Sequence, residues 1–295
     1  MNRAFSAILL ALSFAVAGCA ATLETDIDPS SPDSTNVTYL PGTLAHTITT
    51  NLQTRLRELR ESGPAFTNDL RMFTNWWFCL NGCFRNPDFW LRDCAGYTAT
   101  SVWNCNPTGF MINYTALSPR HIITSGHTAC GTNHCQINFV TRGGQIVTNH
   151  VLVGEYIPQT EFPSLWIGLL VSNLPPSIEI AQIVPTNFFA HLSATSSNRL
   201  FRHYPSPDFA LLSSCQDRWM WPSRHPFHHI RGGDSGSPVH VLVGTNLVLY
   251  LILSGAELYP NYAAIQETMD QLSDSNKAPR FELRPADLST YPLIQ

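Results

Sequence analysis

The chain has 295 residues, a net charge of −4 and only 13% charged residues. This weak, slightly acidic charge argues against a nucleic-acid partner and against a groove for acidic substrates. The length fits one large domain or two small ones, and 44% hydrophobic residues are ample for a core. The 21 prolines and 17 glycines, spread among short apolar runs, favour strands and turns over long helices.

The first segment, residues 1–18, has the pattern of a secretory signal peptide. Arg3 is followed by an apolar run from Ala4 to Ala17, which is too short for a transmembrane span. We therefore expect an exported protein.

Residues 19–43 carry a candidate membrane anchor and a tether. The run VAGC at 16–19 resembles the lipobox of bacterial lipoproteins, which implies lipidation of Cys19 and attachment to a membrane of the bacterial cell envelope. The alternative is an ordinary signal cleaved near Ala17 or Ala20, with Cys19 incidental. The rest of the segment is rich in Thr, Ser, Asp and Pro and is predicted to be a flexible tether.

Residues 44–96 are predicted to be an N-terminal helical extension that contains cysteines. Leucine and isoleucine recur at three- and four-residue steps up to Gly63, which predicts an amphipathic helix packed as a flank, or alternatively a partner-binding helix. Beyond it, aromatic residues and cysteines indicate a disulfide-stapled segment packed on the domain that follows. Its cysteines are Cys79, Cys83, Cys94 and Cys105.

The eight cysteines support export, because disulfides persist in oxidising compartments. Without a lipidated Cys19, 8 − 1 = 7 remain, which allows three disulfides and one odd thiol, Cys215 or a cysteine of the extension. Cys130 and Cys135 are close enough in sequence to bridge a loop.

Residues 97–188 and 189–275 each divide into six short strands separated by turn residues. The first set is Thr100–Trp103, Phe110–Leu117, His121–Thr124, Gln136–Thr141, Ile146–Tyr156 and Leu165–Leu174. The second set is Arg199–Tyr204, Asp208–Ser214, a segment before Arg231, Pro238–Val243, Leu247–Ser254 and Tyr262–Ile265. A closing helix from Gln266 to about Leu272 and a polar tail at 276–295 follow.

Two blocks have the pattern of nucleophilic catalysis. GGDSGSPV at 232–239 sets Ser235 between glycines, which suits a tight turn where the N–H groups of Gly233 and Ser235 converge on one oxyanion. LSPRHIITSGHTA at 117–129 contains Ser-Gly-His, and its His127 is the candidate base. These blocks resemble the nucleophile loop and the histidine-bearing strand of chymotrypsin-like (trypsin-fold) serine peptidases, with His before Ser as in chymotrypsin.

The resemblance covers about Tyr97 to Leu272. It implies an all-β fold of two six-stranded antiparallel barrels, at 97–188 and 189–275, behind the N-terminal extension. It also implies a serine endopeptidase that acts on a protein or peptide substrate and needs no cofactor. In such an enzyme Asp234 would brace the oxyanion loop.

The third catalytic residue departs from the family pattern, which has an aspartate there. Asp208 begins DFALL, which looks like the family's Asp-Ile-Ala-Leu-Leu, but it lies only 235 − 208 = 27 residues before the nucleophile. Spacing points instead to Ser164, 164 − 127 = 37 residues after the histidine. Asp208 is a candidate only if the division of the chain into six strands per barrel, given above, is wrong. Otherwise the options are Ser164 in a weakened triad, Glu161 as a substitute carboxylate, or an inactive trypsin-fold surface protein that binds a peptide or envelope partner.

By the same resemblance, His229, Ser254 and Asn261 line the primary specificity pocket. A histidine where trypsin-like enzymes carry an aspartate argues against cleavage after Lys or Arg, and suggests an acidic or polar preference instead.

Two groups of residues also resemble metal ligands, although we expect no metal. The first group, which begins at the candidate base His127, lacks the paired Cys-x-x-Cys spacing of a zinc site. The second group consists of three histidines, which are better explained as residues of a solvated loop or of the pocket lining. The groups are His127, Cys130, His134 and Cys135, and His225, His228 and His229.

Overall fold

The computed structural model describes residues 40–61, 72–73, 84–102, 104–105, 111–130, 135–158, 165–192, 200–203, 211–215, 218–220, 235–253 and 258–294. Within these residues the protein is mostly β, with a curled antiparallel half-barrel and few helices. The predicted signal peptide, Cys19 and most of the tether lie outside the described residues.

A short ribbon precedes the first sheet and consists of β1 (Asn104–Cys105) and β2 (Met111–Ile112). The first sheet consists of β3 (Thr115–Ala116), β4 (His121–Ser125), β5 (Gln136–Val140), β6 (Ile146–Tyr156) and β7 (Leu165–Leu170). Its order is β3-β4-β7-β6-β5, and every pair is antiparallel.

The curl of the first sheet comes from its longest strand, β6. Residues 146–150 of β6 pair with β5, whereas residues 151–156 pair with β7, and the register shifts between Val151 and Val153. A bulge of this kind bends a strand and increases its twist. The central strands of this curled sheet, β4 and β7, are buried along their whole length.

The second sheet has seven strands in the order β11-β10-β9-β12-β13-β8-β14. The strands are β8 (Gln182–Ile183), β9 (Leu200–His203), β10 (Leu211–Cys215), β11 (Arg218–Met220), β12 (Pro238–Val243), β13 (Asn246–Ile252) and β14 (Arg284–Pro285). β8 runs parallel to both β13 and β14, and the remaining pairs are antiparallel.

The first helix, α1 (Leu44–Glu61), packs on the second sheet. Thr43 caps it, because its Oγ1 accepts a hydrogen bond from the backbone N–H of His46 at 3.2 Å. Leu44 and Ile48 are buried in one cluster with Val239, Val241 and Val243 of β12. The helix is thus part of the core of the second sheet.

The second helix, α2 (Tyr262–Ser275), packs on the first sheet. Ile265, Met269 and Leu272 recur at helical spacing and are buried in the cluster that holds Ile167. Within the described residues, no helix is long and apolar enough to cross a membrane.

The mostly-β architecture and the N-terminal helix are confirmed, but the two closed six-stranded barrels are not seen. In the described residues the strands form two open sheets, one of them the curled half-barrel, and the two-stranded ribbon β1-β2. The strand predicted at Thr100–Trp103 is reduced to a single bridge between Thr100 and Thr115. The strand predicted at Tyr262–Ile265 is wrong, because these residues begin α2 and their apolar pattern continues at helical spacing.

The extension and the C-terminal segment both pack onto the two-sheet body. The described part of the extension shares one buried cluster with Val140 of the first sheet and Leu242 of the second, so it packs on both sheets rather than on the first domain alone. In the C-terminal segment Leu288 is buried, and the N–H of Ala286 donates to the carbonyl of Ile183 at 2.9 Å.

Candidate active site

His127 lies in a short turn at the end of a buried strand. All five residues of β4 are buried, and one turn of 3-10 helix, Gly126–Thr128, follows. In this turn Gly126 is buried, whereas His127 is partly exposed. Partial burial of the ring lowers the pKa of His127 below its usual value near 6.5, so the imidazole is neutral at pH 7.

Ser235 lies in a tight turn that leads into β12. It is half-buried, whereas the next two residues, Gly236 and Ser237, are buried. The N–H of Gly236 donates to the carbonyl of Leu253, and the N–H of Leu253 donates to the carbonyl of Ser237, both at 2.9 Å. These bonds fix the Ser235 turn to the end of the neighbouring hairpin strand.

The two turns touch each other, and Gly236 is the contact point. Its φ is +87°, a conformation that favours glycine. A Cβ added there would lie 2.3 Å from Oγ1 of Thr124 and 2.9 Å from Oγ1 of Thr128. Thus the residue after Ser235 packs against the residue after His127, and the fold brings the turns of the two predicted catalytic residues together.

A buried network of polar groups joins these turns. Nδ2 of Asn113 donates to Oγ of Ser237 at 2.8 Å, and the carbonyl of Asn113 accepts a hydrogen bond from Oγ1 of Thr124 at 2.9 Å. Oγ1 of Thr128 lies 3.2 Å from Oγ1 of Thr124 and donates to the carbonyl of Ser125 at 2.9 Å. The residue pattern alone does not predict this network, although a polar residue inside an apolar strand, such as Thr124, is a signal for one.

The strand that follows the predicted third catalytic residue in the sequence, β7, pairs with the strand that leads to His127. β4 and β7 are antiparallel, and Leu165 pairs with Ser125, two residues before His127. β7 therefore begins beside the His127 turn. Ser164 and Glu161, which precede β7 in the sequence, lie outside the described residues. Asp208, which follows β9 and precedes β10 in the sequence, also lies outside them.

Of the predicted pocket residues, only Asn261 is described. It ends a short 3-10 turn, Tyr259–Asn261, and is half-buried directly before α2. Its N–H donates to the carbonyl of Leu258 at 3.1 Å. The remaining predicted site residues, Gly233, Asp234, His229 and Ser254, lie outside the described residues.

The segment after His127 carries two thiols, and the disulfide predicted between them is not formed. Cys130 is buried and Cys135 half-buried, and the two thiols share a hydrogen bond. The hydroxyl of Tyr114 lies 3.9 Å from Sγ of Cys135. The bond to Cys135, together with burial, raises the pKa of the Cys130 thiol, so Cys130 stays protonated at neutral pH.

The described part of the chain was also searched for clusters of possible metal ligands. No group of three or more His, Cys, Asp or Glu side chains there could hold a metal ion. Four histidines of the two groups noted in the sequence, His134, His225, His228 and His229, lie outside the described residues.

Comparison with known proteins gives no match that names a family. No protein-family model matches the chain, and a search of curated proteins finds no match.

Proposed function

We propose that the protein is an exported serine peptidase of the chymotrypsin-like fold, built on two barrels, with Ser235 as nucleophile and His127 as general base. The observation that carries the proposal is the contact between the two turns at Gly236, which packs against Thr124 and Thr128 on either side of His127. Two sequence blocks that lie far apart in the chain, and that each resemble half of one catalytic site, thereby meet.

The chemistry follows from these roles. Neutral His127 accepts the proton of the Ser235 hydroxyl while Oγ attacks the peptide carbonyl carbon, and the N–H groups of Gly233 and Ser235 stabilise the oxyanion. The tetrahedral intermediate collapses, the C–N bond breaks, and the imidazolium gives its proton to the leaving amine. Water, deprotonated by His127, then hydrolyses the acyl-enzyme and regenerates Ser235.

For the third position we propose Ser164; the alternative is Glu161 as a substitute carboxylate. The pairing of Leu165 with Ser125 supports a residue from the segment before β7, because that strand begins beside the His127 turn. Serine can accept the imidazole N–H but brings no charge. Loss of that charge costs up to about 10⁴ in kcat, or roughly 5 kcal/mol, so we expect a slow enzyme.

Specificity and location complete the proposal. His229, Ser254 and Asn261 would line a pocket for an acidic or polar side chain of a protein or peptide substrate. A lipidated Cys19 would hold the enzyme at a membrane of the bacterial cell envelope.

Covalent labelling by a fluorophosphonate tests the proposal. The soluble chain from Ala20 onward is labelled between pH 6 and 9, and the modified peptide is mapped by mass spectrometry. We expect one adduct on Ser235, absent in Ser235→Ala and His127→Ala. The exposed residues Ser289 and His150 provide matched controls, because Ser289→Ala and His150→Ala should label normally.

A folded wild-type chain that takes up no label at any pH would contradict the proposal. It would favour the inactive surface protein, whose cleft binds a peptide or envelope partner. That protein should retain ligand binding in Ser235→Ala.

A further inference from the structure

Asn113 touches both turns of the candidate site. It lies between β2 and β3 and is 1% exposed. Its side-chain Nδ2 donates to Oγ of Ser237, two residues after Ser235, at 2.8 Å. Its backbone carbonyl accepts a hydrogen bond from Oγ1 of Thr124, three residues before His127, at 2.9 Å.

This link crosses from one sheet to the other. Asn113 leads into β3 of the first sheet, whereas Ser237 leads into β12 of the second. Both side chains are buried, so water does not compete for the bond, and each group would lose its hydrogen-bond partner if the other were removed. The bond therefore resists separation of the two turns.

The geometry points to Asn113 as a positioning residue, which acts through Ser237 to hold the Ser235 turn against the His127 turn. This inference rests on the proposed function. Gly236 leaves no free space between the turns, since even a Cβ would overlap Thr124. A tight contact next to the nucleophile transmits small displacements to it, and misplacement by about 1 Å can lower a rate by about 10²-fold.

Three variants separate positioning from simple stability: Ser237→Ala, Asn113→Leu and the combination of both. Ser237→Ala leaves the side chain of Asn113 without its acceptor, and Asn113→Leu leaves the hydroxyl of Ser237 without its donor. The double variant replaces both members by apolar groups, which can be nearly neutral for stability. Thr268→Val is the matched control, because it removes a buried hydroxyl whose hydrogen bond, to the carbonyl of Ala264, lies within α2.

The measurements are the melting temperature and the labelling kinetics of Ser235 by a fluorophosphonate, divided into the maximal rate and the half-saturating concentration. We expect each single variant to melt lower and to lose about 10- to 100-fold in maximal rate, with the half-saturating concentration unchanged. The double variant should regain the melting temperature but not the rate. Thr268→Val should melt lower and label at the wild-type maximal rate.

A double variant that regains both stability and rate would overturn the inference and leave Asn113 a structural residue. Single variants that fold and label at the wild-type rate would overturn it as well, while leaving the peptidase proposal intact. A wild-type chain that does not label would remove both proposals. If a single variant fails to fold, the double variant alone decides the question.

Discussion

A methyl group added at Gly236 should separate the two turns of the candidate site. The Cβ of Gly236→Ala would lie 2.3 Å from Oγ1 of Thr124, whereas ordinary contact begins near 3.4 Å, an overlap of 3.4 − 2.3 = 1.1 Å. The backbone there has φ +87°, so alanine also adopts a left-handed conformation, which costs about 1–2 kcal/mol. Overpacking adds about 1–3 kcal/mol.

Gly244→Ala is the matched control for this variant. Gly244 also has a positive φ, +62°, but a Cβ there meets nothing within 4 Å. We expect Gly244→Ala to lose only the backbone contribution of about 1–2 kcal/mol. Urea unfolding gives the free energy of each variant, and fluorophosphonate labelling of Ser235 gives the rate.

The overlap predicts a loss of about 10² in labelling rate for Gly236→Ala, because relief of a 1.1 Å clash shifts the nucleophile by a similar amount. Gly244→Ala should label at the wild-type rate. The reasoning is refuted if Gly236→Ala, correctly folded, labels as fast as Gly244→Ala.

Three further predictions concern titration and charge. Because partial burial lowers the pKa of His127, labelling should rise with pH through a midpoint below 6.5, and NMR of the imidazole should give the same midpoint; a midpoint above 7 would contradict it. Ser164→Asp should raise the labelling rate toward the value of a full triad, up to about 10⁴-fold, and Glu161→Ala should lower it only if Glu161 serves as the carboxylate. Burial lowers the pKa of His121 to about 4. Between about pH 6.5 and 4 the unfolded chain therefore binds one proton that the folded chain does not. The free energy of unfolding should fall as the pH falls through that window, by about 3 kcal/mol at most. Urea unfolding at several pH values should show a flatter profile for His121→Gln, and equal slopes would argue against the buried imidazole as the cause.

Strand positions were the most predictable part of the fold. The strands at Ile146–Tyr156 and Pro238–Val243 are found with the predicted bounds, because each is a long β-branched run between turn residues. The start of α2 was missed, since a run of only four apolar residues, Tyr262–Ile265, fits a strand as well as a helix. The curl of the first sheet depends on a bulge in β6, which the residue pattern does not specify.

The candidate site was predictable only in part. His127 and Ser235 stand in local motifs, so each could be recognised without the fold. The bond between Asn113 and Ser237 spans 124 residues of sequence, and nothing near either residue indicates the other. The disulfide predicted from the short spacing of Cys130 and Cys135 is a pair of thiols instead, because proximity in sequence does not determine whether two sulfurs are joined.

The position of α1 has a consequence for folding kinetics. Nδ2 of Asn51 donates to the carbonyl of Gly244, and these residues are 193 apart in sequence. Most of the stability of a helix in a protein comes from packing of its apolar face, so α1, whose Leu44 and Ile48 pack on β12, depends on a surface that is synthesised much later. Contacts of such long range form slowly. Docking of α1 should therefore be a late event, coincident with completion of β12, and a fluorophore on α1 would report when the second sheet is finished.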